Sequence, residues 1–162
     1  MAEESHFREL ATIADNRAAA LEIAQLARRQ LCIFSRELEP QVYDTPEFLE
    51  AVKHLAISGS RSEVRILLID AARATREGHR LVELARRLSS SFEIRKPHRD
   101  YLDMAETFIV ADEKGLLFRK LATRWEGIVD SDDPMLARDK LKLFNDIWQR
   151  SHVDPETRQL RI

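Results

Sequence analysis

Nine polar side chains, Ser35, Arg36, Tyr43, Asp70, Arg73, His79, Arg95, Lys96 and His98, fall where apolar runs stop or just beyond, and arginine is the commonest type among them. A guanidinium is planar, permanently charged and able to grip two oxygens of a phosphate or carboxylate at once. Histidine adds a group that exchanges protons near neutral pH. Such a set predicts recognition of an anion, because open α/β sheets gather ligands outside the carboxyl ends of their parallel strands. The same residue types also cap helices, satisfy loop carbonyls and form surface ion pairs.

The elements that must hold these residues are legible in the apolar spacing. Residues 15–29 place Ala20, Ile23, Ala24 and Ala27 on one helical face behind Asp15 as the opening cap. Residues 30–35 read as a buried strand, closed by the polar stretch 36–40, and Tyr43 lies in the loop after it. Thr45 followed by Pro46 starts a second helix that ends near Ser58-Gly59-Ser60, a C-cap turn. Residues 64–70 are nearly all apolar, which predicts a strand covered on both faces. A loop over 71–78, a helix over 81–88 opened by His79, and a strand over 91–95 stopped by Pro97 come next. Residues 107–112 and 116–119 predict a hairpin across Glu113-Lys114-Gly115, and Asp133-Pro134 caps a last helix bearing Leu136, Leu141, Phe144, Ile147 and Trp148. The expected architecture is a single α/β domain with a mixed, mostly parallel sheet flanked by helices. The expected segments are 1–14 as an N-terminal lead, 15–151 as the domain and 152–162 as a polar tail.

Composition narrows the function classes. The 162 residues are 44% apolar and 33% charged, which fits one globular domain and excludes collagen, disorder and a disulfide scaffold. The longest apolar runs are far too short to span a bilayer. The opening Met1-Ala2-Glu3-Glu4-Ser5 is acidic where a signal peptide is basic, so a cytoplasmic location is expected. The net charge of −2 conceals a basic middle: residues 60–99 carry 10 basic and 5 acidic side chains. That asymmetry keeps nucleic acid among the candidate partners, while the overall acidic balance weighs against it. Cys32, the one cysteine, sits in the apolar run Leu31-Cys32-Ile33-Phe34 and reads as a small buried hydrophobe.

The common catalytic motifs are absent. Gly59, Gly78, Gly115 and Gly127 are too far apart for a phosphate-binding loop. The five histidines are scattered, no CxxC occurs, and Asp130, Asp132 and Asp133 lack the glycine and distal glutamate of a calcium loop, so they read as helix-capping acids. No metal or cofactor is implied. A glycine-flanked serine nucleophile is missing as well. Trp148 belongs to the apolar face of the last helix, and Trp125 lies in a loop between Arg124 and Glu126.

The order of these elements, from the strand 31–35 to the hairpin 108–115, resembles one half of a phospholipase D-like (HKD) domain over about residues 20–150. In that family HxKxxxxD supplies a histidine that attacks the phosphodiester, a lysine that binds the phosphate and a supporting aspartate. With the aspartate on Asp112, the histidine position holds Ala105 and the lysine position Thr107, so the motif is degenerate. Without an imidazole there is no nucleophile, and threonine brings no cation to a developing oxyanion. The segment Ser35-Arg36-Glu37-Leu38-Glu39-Pro40-Gln41-Val42-Tyr43-Asp44 is also similar to one in uncharacterised proteobacterial proteins found alone or attached to acetyltransferase domains. A single HKD half implies a homodimer, since active members join two halves.

The expected function is therefore a non-catalytic binding domain, a pseudoenzyme, that recognises an anionic ligand or a protein partner through Arg36, Arg65, Arg73, Arg95, Lys96 and His98. Arg65 begins its strand and has Glu63 and Glu93 as alternative partners. The competing readings are a nucleic-acid binder, a residual phosphodiesterase that uses His79 or His98, and a module that docks another enzyme.

Overall fold

The computed structural model describes residues 6–158. One mixed sheet of eight strands runs through it in the order β1-β7-β6-β5-β2-β3-β4-β8. These are β1 (Phe7–Leu10), β2 (Gln30–Ser35), β3 (Glu63–Leu68), β4 (Phe92–Lys96), β5 (Thr107–Ala111), β6 (Gly115–Arg119), β7 (Gly127–Asp130) and β8 (His152–Val153). The parallel part is narrower than expected: only β2–β3 and β3–β4 pair in parallel, and the other five pairings are antiparallel. Helical connections join β2 to β3 and β3 to β4, as parallel neighbours require, whereas the β5–β6 hairpin needs none.

One face carries α1 (Ile13–Leu26), α2 (Pro40–Tyr43), α3 (Pro46–Ile57) and α5 (Arg80–Arg87), packed on Leu31, Ile33, Ile66 and Ile109. The other carries α6 (Pro134–Gln149), whose Ala137, Leu141, Phe144 and Ile147 meet Cys32, Phe34, Leu67 and Phe108. Period-two alternation along β2 sends Leu31 and Ile33 to the first core and Cys32 and Phe34 to the second. A strand buried on both faces is thus the expected reading of its continuous apolar run.

Caps set the helix ends. The cap of α1 is Thr12 rather than Asp15: Thr12 accepts from the Asp15 N–H and Asp15 reaches back to the Thr12 N–H, a reciprocal pair that moves the start three residues earlier. Thr45 and Asp133 cap α3 and α6 with proline in the first turn, as expected.

Four further expectations change. The loop over 71–78 contains α4 (Ala72–Arg76), and the polar stretch after β2 turns at buried Leu38, φ 54°, into α2. Strands β1 and β7 were hidden because four residues are too few to show a period. Gly127 is required in β7, since a Cβ there would meet the Phe118 carbonyl oxygen at 2.5 Å. Finally, β1 and β8, on the far sides of the expected boundaries at 14/15 and 151/152, lie in the sheet. The expected tail holds α7 (Pro155–Arg158), with Asp154 and Thr157 buried and Arg86 Nε donating to the Thr157 carbonyl at 2.7 Å. Residues 1–5 and 159–162 of the expected terminal segments lie outside the described residues. Among those described, no helix is long and apolar enough to cross a membrane.

Candidate functional site at the strand ends

Because β2, β3 and β4 are parallel, Arg36, Asp70 and Lys96 share one edge of the sheet, with β3 between the outer two. The adjacent strand β5 runs the other way, so the residues entering it, 105–107, share that edge. Thus the strand-end residues and two of the degenerate motif positions, Ala105 and Thr107, lie at the same end of the sheet.

The expected candidates divide by what each side chain touches. Ser35 is buried, accepts from the Leu38 N–H at 2.9 Å and holds the turn. Tyr43 is buried edge-on against Phe48, and burial pushes its phenol up. Asp70 accepts from the Ala72 N–H at 3.0 Å at the start of α4. Arg73 is shared between Glu37 at 3.5 Å and Glu77 at 3.4 Å. Arg95 pairs with Glu93 at 2.9 Å and lies 4.4 Å above the Trp148 ring. These five side chains are committed to the fold or to neutralising partners.

His79 is committed too. Its Nδ1 accepts from the Leu81 N–H at 3.1 Å, capping α5, so Nε2 carries the proton that meets the Leu38 carbonyl at 3.0 Å. Both nitrogens are used only in the neutral ring. Burial lowers its pKa from 6.5, against upward pulls from Asp44 and Glu77, with Arg80 adding to the decrease. A lowered folded pKa means the unfolded chain binds the proton first on acidification. Stability from His79 is therefore full above about pH 6.5 and falls below it, levelling off once the folded ring also protonates. The melting temperature of the wild type should drop more between pH 7.5 and 5.5 than that of His79→Gln; parallel profiles would contradict this assignment.

Three candidates remain at the surface. Lys96 ends β4 opposite His152. His98 accepts from the Asp100 N–H at 3.1 Å, opening the 3-10 turn Arg99–Tyr101. Arg150, from the end of α6, joins it, bonded to Asp100 Oδ2 at 2.8 Å and 3.3 Å from His98 Nδ1. The Arg150 contact holds the Asp100 carboxyl below its ordinary value. Arg36 reaches the same segment from β2: its Nη2 donates to the carbonyls of Leu102 at 3.1 Å and Met104 at 3.4 Å. Segment 98–104 is thus held by two arginines, and Arg36 lies beside the chain entering Ala105.

At the motif positions, Ala105 is exposed and its carbonyl accepts from Ala122 N–H at 2.7 Å. Thr107 is buried and donates to the Phe34 carbonyl at 2.7 Å. Asp112, at φ 54° in the hairpin turn, accepts from the N–H groups of Arg28, Arg29 and Gln30 at 3.0, 2.9 and 3.0 Å. It anchors the start of β2 at the opposite end from Ala105.

The largest buried polar group here was missed by sequence reasoning. Arg119, 1% exposed, donates to Glu39 at 2.6 Å, Asn16 at 3.2 Å and the Ala122 carbonyl at 3.0 Å, with its guanidinium 4.7 Å above the Trp125 ring. Asn16 also donates to the Trp125 carbonyl at 2.8 Å. The signal was present: Arg119 shares a strand face with Leu117, and Asn16 shares the helical face of Ala19, Ala20 and Ile23. Trp125 therefore serves this network, and Trp148 stacks on Phe144 in the second core. Arg65 lies away from the strand ends, 3.7 Å from Glu63, its guanidinium over Phe144 and Trp148. Its contact with Cys32 Sγ does not activate the thiol, whose pKa burial pushes up to about 11.

The larger clefts lie elsewhere. They run between α1 and α3, between α3 and α5, and between α5 and the β4–β8 edge, and none of the nine candidates lines them. Among the described residues no cluster of three or more histidine, cysteine or acidic groups has metal-binding geometry.

The fold has solved counterparts. Nuc, a phospholipase D family member from Salmonella typhimurium, superposes with a TM-score of 0.65 at 12% identity over 91% of this chain and 97% of its own. NucT from Helicobacter pylori gives 0.61 at 11% identity, covering 91% and 99%. TrmBL2, an archaeal chromatin protein whose structure shows a novel mode of DNA binding, gives 0.68 at 13% identity over 95% of this chain and 56% of its own. These likenesses establish a phospholipase D-like fold. No curated protein matches the chain. With the fold matched to these structures and residues 12–160 matched to the family described as Domain of unknown function (DUF7931), the chain belongs to that family and has a phospholipase D-like architecture.

Proposed function

We propose that this protein is a non-catalytic, cytoplasmic binding domain that recognises an anionic group at the exposed strand ends around Ala105, with Arg36 as the principal contact and Lys96 and His98 as neighbours. The observation that carries the reading is the pairing of a chemically inert motif with a cation beside it. Ala105 offers no nucleophile, the Thr107 hydroxyl is occupied inside the protein, and Arg36 engages backbone carbonyls through Nη2 alone. Carbonyl contacts orient a guanidinium without neutralising it, which preserves its attraction for an anion. Arg73 and Arg95, by contrast, already face carboxylates.

Calorimetric titration with inorganic phosphate, pyrophosphate and a short single-stranded oligonucleotide tests the proposal. Binding should weaken by about 10–100-fold in Arg36→Ala, the loss expected for a charged hydrogen bond. Arg73→Ala should bind like the wild type. Equal affinity of Arg36→Ala and wild type for every anion, with both proteins folded, would overturn the assignment. The DNA-binding neighbour motivates the oligonucleotide arm. Binding confined to the oligonucleotide and falling steeply with salt would favour the nucleic-acid reading instead.

A further inference from the structure

Arg119 has one hydrogen-bond donor that its partners leave unfilled. Nη1 donates to Asn16 Oδ1 at 3.2 Å, and Nη2 donates to Glu39 Oε2 at 2.6 Å and to the Ala122 carbonyl at 3.0 Å. Nε is buried and has no acceptor among the described residues. Nε and Nη2 share one edge of the guanidinium, which a carboxylate grips with two parallel hydrogen bonds. Glu39 meets Nη2 with one oxygen, and its other oxygen accepts from the Ser35 hydroxyl at 3.4 Å. A buried donor without an acceptor lowers stability, so packing and pairing alone do not account for this arrangement. The two members of the pair are also held differently. Arg119 is fixed by Asn16, Ala122 and the Trp125 ring, and Gly127 passes so close to its stem that a Cβ there would lie 2.7 Å from Arg119 Cγ. Glu39 is the member that reaches solvent, with its side chain 14% exposed, and it caps no N–H of α2.

We propose that Arg119 is the cationic centre of a second ligand site, one that takes a short aliphatic carboxylate, and that Glu39 is the chain's own occupant of it. In the exchange the Glu39 side chain turns out to solvent and the ligand enters with one oxygen on Nη2 and the other on Nε. The ligand thereby fills the donor that Glu39 leaves open. Beyond its Cα, a glutamate side chain is a propionate, so the space it vacates fits acetate or propionate. The Ser35 hydroxyl, released from Glu39 Oε1, keeps its bond from the Leu38 N–H and can donate to the entering carboxylate. Ala122 ties the site to the surface, since its N–H donates to the carbonyl of exposed Ala105 while its own carbonyl holds Arg119. Glu39 competes as a tethered ligand, which sets the affinity for a free acid in the millimolar range. Arg36 has no part in this site, so the two readings stand or fall separately.

Calorimetric titration of the full chain with propionate, at constant ionic strength held with chloride, tests the exchange. The wild type should bind propionate in the millimolar range. Glu39→Ala, which removes the competitor, should bind at least ten-fold tighter, and added propionate should raise its melting temperature more than that of the wild type. Glu39→Gln keeps the side-chain volume and loses the competing charge, so it should show a smaller gain in the same direction and carries the comparison where Glu39→Ala does not fold. Arg119→Met with Glu39→Leu should not bind propionate, and Arg36→Ala should bind it like the wild type. No binding by the wild type up to about 100 mM would overturn the proposal. So would equal affinity in the wild type and the folded Glu39 variants, or binding that survives the loss of Arg119. Loss of propionate binding in Arg36→Ala would also overturn it, by placing the carboxylate at the strand ends.

Discussion

Arg119→Ala is expected to destabilise the protein by about 3–5 kcal/mol, the cost of breaking a buried ion pair by removing one partner. The loss exceeds a simple deletion because the guanidinium serves several groups at once. Without it, Glu39 keeps only the weak Ser35 contact at 3.4 Å, Asn16 Oδ1 and the Ala122 carbonyl lose a donor, and Trp125 loses the charge over its ring. For a domain of this size, each kcal/mol shifts the melting temperature by roughly 2–4 °C, so a fall of roughly 6–20 °C is predicted. Replacing both partners, Arg119→Met with Glu39→Leu, should recover much of it, since no charge is then left buried alone. Thermal and urea denaturation of the three proteins measure the contrast. A loss below about 1 kcal/mol in Arg119→Ala would show that the network contributes little.

Asp112→Ala is the second large effect, at about 3 kcal/mol. Its carboxylate gathers three consecutive backbone N–H groups at the start of β2, and its backbone sits at φ 54°, where alanine is strained by about 1 kcal/mol. Three variants separate the causes. Asn tolerates the backbone and keeps one acceptor, Gly relieves the strain but loses every acceptor, and Ala loses both. The expected order of stability is Asp, Asn, Gly, Ala. Amide exchange at Arg28, Arg29 and Gln30 should accelerate in the Gly and Ala variants, and unchanged exchange would contradict the anchoring role. Asp112 thus has structural work at the start of β2 that needs neither a histidine at position 105 nor a lysine at position 107.

The central strands, the hairpin, and α3, α5 and α6 were legible because their signals are local. Apolar periodicity, a proline after a capping residue and a short glycine-bearing turn each act within a few residues. The phospholipase D-like resemblance rested on the order of those same elements. Elements of two to five residues, β1, β7, β8, α2 and α4, carry too little periodicity to be read, and most of them exist only where neighbouring strands or helices hold them.

The candidate site was legible in type and not in role. Sequence by itself determined that the strand ends would be rich in arginine and that positions 105 and 107 carry alanine and threonine. Only the tertiary structure decided which cations stay available. Arg73 and Arg95 were neutralised by Glu37, Glu77 and Glu93, His79 became a neutral cap, and Arg36 was left on carbonyls. The Arg119–Glu39 pair joins residues 80 positions apart in the chain. Residue type fixes what charge a side chain brings, a local property. Whether that charge is paired, buried or free depends on partners that sheet order delivers from distant segments, and no spacing along the chain encodes them.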